Sequence, residues 1–197
     1  RPYIGNLPTP TPTPTITPTV HFTFIPTITP IPHETSTPTP APTPIPNLKN
    51  ITNDSFEQLS PAIDLSYIAW EHKQDSYSQI RLYYLGADGE YGTGDSGEQM
   101  YSISESSANQ TVPQLSGTDI VWIDSRSGVE QVMLSQFGID GIPASGDAGE
   151  GEYIVSQDEE AQGPVKIDDG RIVFLQSHSG AYPSIEMYYL GNDGLFG

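Results

Sequence analysis

The sequence contains no cysteine among its 197 residues. Neither a disulfide framework nor a zinc site built on thiolates is therefore available to it. Its longest apolar runs fall well short of the roughly 20 residues that span a bilayer, and no stretch of useful length shows helical periodicity. These absences exclude the small disulfide-stapled class of secreted domain and leave the fold to be built from extended segments.

Positive charge is also scarce, because 7 Lys and Arg stand against 25 Asp and Glu, giving a net charge of −18. A nucleic-acid-binding protein needs a basic surface for the phosphates, and binding to anionic membranes needs basic clusters. The composition argues against both kinds of partner. An acidic surface favours solubility and hard cations, Ca²⁺ above all.

The N-terminal segment, residues 1–46, is poor in charge and rich in two residue types. From Pro8 to Pro46 it holds 13 Pro and 13 Thr in 39 residues. Five apolar side chains within it fall on even positions, with Thr at most odd positions between them. They are Ile16, Val20, Phe22, Phe24 and Ile28.

This period of two predicts a half-buried strand, although the prolines restrict it to an edge strand or an extended polyproline-like chain. We predict that the stripe docks on a partner surface as an assembly strand. The alternative is a plain extended stalk.

Three Asn-x-Ser/Thr sequons occur, at Asn50, Asn53 and Asn109. Together with a Pro/Thr tract typical of O-glycosylated stalks, they indicate an extracellular or cell-surface glycoprotein. The chain opens without Met and shows no signal peptide, so we interpret it as a processed product or a fragment.

Residues 47–197 contain a tandem repeat of about 52 residues. Prolines recur at intervals of 52 and 51 residues, and an aromatic residue recurs at intervals of 52. The prolines are Pro61, Pro113 and Pro164, and the aromatic residues are Trp70, Trp122 and Phe174. The copies run over about 58–109, 110–160 and 161–197, the third being incomplete.

Each copy is predicted to form about four short antiparallel strands, the first of them directly after the repeat proline. Apolar runs such as "DIVWID" follow turn clusters, and the next run, such as "QIRLYYL", alternates between two faces. Four-stranded units at this period are typical of β-propeller blades. The predicted fold class is therefore all-β, with antiparallel four-stranded propeller blades after an extended arm, and Trp70 and Trp122 mark a core position of the blade.

The stretch "PQLSGTDIVWIDSRSG", Pro113 to Gly128, resembles the TolB-like propeller repeats of bacterial and archaeal surface proteins. The loop "LGADGEYGTGD" resembles one common in that group. The resemblance covers roughly residues 50–197, although the first copy lacks the arginine and the third departs at the tryptophan and the aspartate. It implies a propeller, usually six-bladed in that family, and no single activity.

Three copies are fewer than the four to eight blades of typical rings. Ile51 lies ten residues before Pro61, and Ile103 has the same spacing to its own proline. The segment around Ile51 is therefore predicted to be an outer strand that closes a blade. Two copies of the chain in one six-bladed ring, a piece of a longer propeller, and an open stack of blades all stay open.

A loop rich in Gly and acidic residues follows the third predicted strand of each copy. Its acidic positions are Asp88, Asp95 and Glu98, then Asp140, Asp147 and Glu150, and finally Asp193. Such carboxylates suit Ca²⁺, which takes six to eight oxygen ligands, and Ca²⁺ is the only cofactor that the sequence suggests. The alternative is that Asp-Gly pairs build tight turns and the acids are solvated.

No catalytic constellation stands out in the sequence. The four histidines lack metal-ligand spacing, no G-x-S-x-G nucleophile elbow occurs, and no carboxylate pair is singled out for glycoside hydrolysis. Asp124 and Arg126 are predicted to form an ion pair that ties neighbouring blades.

The leading hypothesis is a non-enzymatic extracellular structural protein. It would be a subunit of a filament or surface assembly, held by its N-terminal strand with propeller blades displayed outward. This hypothesis implies self-association, either through the arm or in a two-chain propeller. The alternative is a stalked binding or adhesion module for polysaccharide or protein, and a propeller glycosidase or lyase is the third hypothesis.

Overall fold

Eleven strands build the part of the chain that the computed structural model describes, residues 48–156 and 162–191. They are β1 Glu57–Asp64, β2 Tyr67–Gln74, β3 Tyr77–Tyr84, β4 Gln99–Ser102, β5 Gln110–Ser116, β6 Asp119–Asp124, β7 Gln131–Phe137, β8 Glu150–Ile154, β9 Gln162–Asp168, β10 Arg171–Gln176 and β11 Ser184–Tyr189. Neither range contains a helix, so neither holds a helix able to cross a membrane. The predicted assembly strand (Ile16, Val20, Phe22, Phe24 and Ile28) and Asp193 lie outside the described residues.

The strands form three antiparallel sheets that follow one another in chain order. The first sheet has the order β1-β2-β3-β4, the second β5-β6-β7-β8, and the third, within the described residues, β9-β10-β11. Within each sheet every strand pairs antiparallel with its neighbour in sequence, which is the order that hairpin connections produce. The predicted all-β class with antiparallel sheets of three to four strands is confirmed.

The first strand of each sheet contains its repeat proline at an irregularity. The pairing of β1 with β2 shifts register between Leu59 and Ala62, on either side of Pro61. An equivalent shift flanks Pro113. Proline has no N–H to donate to a ladder, so a bulge accommodates it. The strand therefore begins before its proline, which corrects the predicted position after it.

Two apolar clusters lie between the sheets and form the core. The cluster between the first and second sheets contains Tyr67, Ala69, Ile80, Leu82, Ile120, Trp122, Met133 and Phe137. The cluster between the second and third contains Val121, Ile123, Val132, Leu134, Val155, Val165, Ile167, Ile172, Phe174 and Leu190. The second sheet is thus covered on both faces, which explains why its strand β6 is a continuous apolar run rather than an alternating one.

Equivalent hydrogen bonds recur in the first two sheets. The N–H of Ile80 in β3 donates to Ser104 Oγ at 3.2 Å, and the N–H of Val132 in β7 donates to Ser156 Oγ at 3.0 Å. The residue before each serine donates its N–H back to the carbonyl of the same strand residue. We call Ile103–Ser104 and Val155–Ser156 closing pairs. Each pair forms hydrogen bonds with one residue of the third strand of its sheet, and the chain then continues to the next sheet.

The packing predicts a sharp difference between two side chains of the second sheet. Leu134 is fully buried between sheets, whereas Ile154 is 50% exposed. We expect Leu134→Ala to lower the free energy of unfolding by about 2–5 kcal/mol, because it removes buried methyl groups and leaves a cavity. Ile154→Ala should cost about 0.5 kcal/mol. Urea denaturation followed by tryptophan fluorescence measures both, and equal losses would contradict this location of the core.

Candidate functional site

The first Asp/Gly loop connects β3 to β4 and is folded by its own carboxylates. Asp95 Oδ2 accepts the N–H of Asp88 at 3.0 Å, and Asp88 Oδ1 accepts the N–H of Glu90 at 2.8 Å. Glu98 accepts the N–H of Gly94 at 2.5 Å. The acids therefore satisfy backbone donors of the turn, as Asx-type side chains do.

The second loop, between β7 and β8, repeats this arrangement. Asp147 Oδ2 accepts the N–H of Asp140 at 2.8 Å, and Asp140 Oδ1 accepts the N–H of Ile142 at 2.8 Å. Glu150 accepts the N–H of Gly146 at 2.6 Å. The repetition across two loops identifies the pattern as a property of the repeat rather than of one turn.

Two glycines that the sequence analysis did not single out make these loops possible. Gly86 has φ +81°, and a Cβ there would lie 2.0 Å from Asp95 Oδ1. Gly138 has φ +76°, and a Cβ there would lie 1.7 Å from Asp147 Oδ1. Any other residue would be strained by the left-handed backbone and would displace the carboxylate. The signal in the sequence was the 52-residue spacing of the two glycines.

The backbone donors favour the ionised carboxylates of the first loop. The N–H of Asp88 is the main cause that lowers the pKa of Asp95 below its ordinary 3.8. The N–H groups of Gly92 and Gly94 lower the pKa of Glu98 below its ordinary 4.5. Hydrogen bonds to a charged form stabilise that form.

The loop geometry gives no direct support to calcium. Within residues 48–156 and 162–191, no group of three His, Cys, Asp or Glu side chains is placed to hold a metal ion. Each described loop acid accepts at least one backbone N–H instead, although Asp147 Oδ1 is buried without a hydrogen-bond partner. Calcium binding stays a prediction, and this arrangement favours the alternative of acid-capped turns.

The second loop also joins the first two sheets. The Tyr67 hydroxyl in β2 donates to the carbonyl of Gly141 at 2.6 Å, and the Tyr67 ring stacks on Tyr84 with centroids 5.1 Å apart. Burial, with smaller contributions from nearby Tyr84 and Asp140, raises the pKa of Tyr67 to about 12. The hydroxyl therefore stays protonated and donates at neutral pH.

The predicted ion pair between neighbouring blades is wrong in its location. Arg126 Nη2 lies 2.7 Å from Asp124 Oδ2, and its Nη1 lies 2.8 Å from Glu152 Oε1. All three residues belong to the second repeat, and Trp122 Nε1 donates to the same Asp124 oxygen at 3.1 Å. Because Asp124 is buried, the arginine and the indole compensate its charge inside one sheet.

The three sequon asparagines, Asn50, Asn53 and Asn109, are exposed. Asn109 Oδ1 accepts the N–H of Ser78 at 3.1 Å, which leaves the amide nitrogen as the group that a glycan would modify. Glycosylation at the three positions stays a prediction, and their exposure is compatible with it.

Ile51 lies in a bend, and β1 begins only at Glu57, so residues 50–56 form no strand in the single chain. Ile51 nevertheless contributes to the outer face of the first sheet. It lines an apolar pocket of about 190 Å³ together with Thr52, Gln58, Leu59, Pro61, Ile68 and Trp70. Its predicted role in closing a blade is not tested within one chain.

The face of the third sheet that turns away from the second sheet is apolar and exposed. Ile185, Met187 and Tyr189 are 80%, 52% and 60% exposed. Their pairing with β10 places Ile185 and Met187 at the repeat positions of Val132 and Leu134 in β7, which are fully buried. Repeat positions that are buried in the core at the second sheet are therefore exposed to solvent at the third. We take this open face as the candidate functional site.

A polar cleft of about 850 Å³ lies between the loops of the second and third sheets, with Asp119, Asp169 and Arg171 among its lining residues. Asp119 occupies the repeat position of Tyr67, which contacts the Gly141 loop in the preceding interface. The corresponding loop of the third repeat falls outside the described residues. The cleft alone therefore gives no argument for a ligand.

Comparison with solved structures adds a weak likeness. No family model matches the chain, and no curated protein matches it. A solved structure from Agrobacterium tumefaciens assigned to TolB is similar, with a TM-score of 0.45 and 13% identity. The match covers 74% of this chain and 49% of that one, so the chain spans about half its length. A likeness of this size carries no argument about family or function.

The hydrogen-bonded loop predicts how acid affects stability. A carboxyl whose pKa is lower in the folded state stabilises the fold above its unfolded pKa, and this contribution is lost as the pH falls through the folded value. Below the ordinary 4.5 of a glutamate, we expect the unfolding temperature of the native chain to fall more steeply than that of Glu98→Gln. Circular dichroism melts across that range measure this. The exposed Glu105→Gln is the control, and parallel curves for Glu98→Gln and the native chain would contradict the prediction.

The same loops predict the response to chelation. Because the described carboxylates already accept backbone donors, we expect the same unfolding temperature in Ca²⁺ and in a chelator, measured by scanning calorimetry. A rise in Ca²⁺ that Asp147→Asn abolishes would instead establish a calcium site in the second loop.

Proposed function

We propose that this chain is a non-enzymatic structural subunit of an extracellular assembly of its own copies, and that its sheets are blades of a β-propeller. The observation that carries the proposal is the open apolar face of the third sheet. Exposed apolar patches on soluble proteins commonly mark interaction surfaces.

Burial of this face alone does not reliably offset the cost of association. Burying each of Ile185, Met187 and Tyr189 stabilises by roughly 1.5–3 kcal/mol. Association costs roughly 4–15 kcal/mol in lost translational and rotational freedom. Additional contacts are therefore needed, and a second attachment through the N-terminal arm would supply them.

The arm supports the proposal through its sequence. Its apolar stripe would be stabilised by burial against a partner surface. Its prolines restrict the free chain, so less conformational entropy is lost when the arm becomes ordered. The arm lies outside the described residues, so its docking as an assembly strand is part of the proposal. The net charge of −18 opposes association. Salt screens this repulsion, so association should become stronger at higher salt.

Within residues 48–156 and 162–191, no site favours the two other hypotheses. A stalked module for polysaccharide or protein, and a propeller glycosidase or lyase, would each require a binding cleft. The polar cleft between the loops of the second and third sheets favours neither hypothesis, so both stay predictions.

Electron microscopy of the full chain tests the proposal. We expect filaments or sheets from the native protein, and their loss in a variant combining Val20→Ser, Phe22→Ser and Phe24→Ser, because the apolar stripe is removed. The control changes the opposite face of the same segment, combining Thr15→Ser, Thr17→Ser and Thr19→Ser. Polymers that persist in the apolar variant would remove the arm from the proposal. A native protein that stays monomeric at high salt would overturn it entirely.

A further inference from the structure

The two ends of the row of sheets carry complementary surfaces, and we propose that two copies of the chain bind head to tail. The third sheet of each copy would pack on the first sheet of the other. This inference deepens the proposed function, on which it rests, by naming the partner of the open face as a second copy.

The backbone at the two ends supplies the first argument. A closing pair lies before the second sheet and another before the third, and each closes the third strand of the sheet that precedes it. Ile51–Thr52 occupies the same position before the first sheet, which no sheet precedes among the described residues. Conversely, Ile185 in β11 occupies the position of Ile80 and Val132, and no described residue closes it.

The hydrogen-bonding groups at the two ends, those of Ile51–Thr52 and of Ile185, are complementary to each other. By analogy with the internal interfaces, the N–H of Ile51 would donate to the carbonyl of Ile185 in the other copy. The N–H of Ile185 would donate to the hydroxyl of Thr52. That hydroxyl donates to Asn50 Oδ1 at 3.4 Å in the single chain, so its lone pairs stay available as acceptors.

Ile51 is already placed for this contact. Inside the chain, Ile103 of the first closing pair packs against the cluster that contains Ile120 and Trp122 of the second sheet. Ile51 lines its pocket with Ile68 and Trp70, which are the equivalents of those two residues in the first sheet.

The side chains of the two faces supply the second argument. In the internal interface, Ala69, Ile80 and Leu82 of the first sheet pack against Ile120 and Trp122. The equivalent side chains on the open face of the third sheet are Val173, Ile185 and Met187. The pocket beside Ile68 and Trp70 in another copy would receive them in the same way.

A hydrogen bond between consecutive sheets also recurs at equivalent repeat positions. Asp64 Oδ2 accepts the N–H of Gly117 in the next sheet at 2.6 Å, and Ser116 Oγ accepts the N–H of Asp169 in the next at 3.1 Å. The following pair in this series is Asp168 of the third sheet and the N–H of Leu65 in a first sheet. Both residues are exposed in the single chain.

The described sheets of two copies add up to a plausible ring. Three sheets from each copy would make six, which lies within the four to eight blades of typical closed propellers. A closed pair would cover the open face of the third sheet and the outer face of the first sheet in both copies.

Engineered cysteines test the contact in the full chain, because the native sequence has none. The variant combining Thr52→Cys with Ile185→Cys should oxidise to a covalent dimer. The variant combining Ile80→Cys with Ser104→Cys places the same pair within one chain and is the geometric control. Each single variant serves as a further control, and Ile185→Cys alone should not form a dimer.

Light scattering provides a second readout that does not depend on disulfide geometry. We expect the variant combining Val20→Ser, Phe22→Ser and Phe24→Ser, which lacks the proposed assembly strand, to show twice the mass of one 21.4 kDa chain at sufficient concentration and salt. Met187→Glu should weaken the dimer by about 100-fold, because it buries an unpaired charge. Tyr182→Glu, at a turn residue that is 94% exposed, should leave it unchanged.

The outcomes separate this inference from the proposed function. Dimers without larger particles would support the inference and count against the assembly. Two results together would overturn the inference and keep the assembly. Met187→Glu would form filaments as well as the native chain does, and the double cysteine variant would give no crosslink between positions 52 and 185 of different copies. A dimer crosslinked by Ile185→Cys alone would show third sheets facing each other and would also overturn it, as would a monomeric mass at every concentration.

Discussion

Face-to-face packing of consecutive sheets is the interaction on which the rest of this structure depends. A sheet with an apolar face must bury that face against another layer, so each sheet is stabilised by its neighbours. Only the second sheet has both neighbours within the described residues, and its side chains Val121, Trp122, Val132 and Leu134 are wholly buried. Within the same residues the first and third sheets each have one face without a neighbouring sheet.

The acidic loops contribute to the same packing. Their carboxylates fold tight turns around Gly86 and Gly138, and the second turn presents the Gly141 carbonyl to Tyr67 of the preceding sheet. The high density of acids is therefore partly structural, because each one is an acceptor for backbone N–H groups. The cost is a large net negative charge, which keeps copies apart at low salt.

Much of the fold followed from the sequence because the repeat reports it three times. The 52-residue spacing gave the number of sheets, and the recurrence of Trp70 and Trp122 correctly indicated a buried position. The bulge at Pro61 was missed because periodicity locates a strand but not its irregularities. The site was less accessible from the sequence. Asp124 and Arg126 are two residues apart, and spacing alone did not show that the arginine turns back onto its own sheet. The hydrogen-bonding role of the loop acids required geometry as well, because the same Asp-Gly pattern suits a cation or a turn.

The open face of the third sheet shows why a repeat can reveal function when motifs do not. A polar residue at Ile185 or Met187 would be the ordinary solution for an exposed edge strand, since charge there prevents unwanted pairing. Instead the outward positions of β11 keep the apolar character of buried positions in the second sheet, and the one acid of the strand, Glu186, lies on the other face. Among the described residues no sheet covers this face. The proposed head-to-tail contact would place Ile51–Thr52 of a second copy against it.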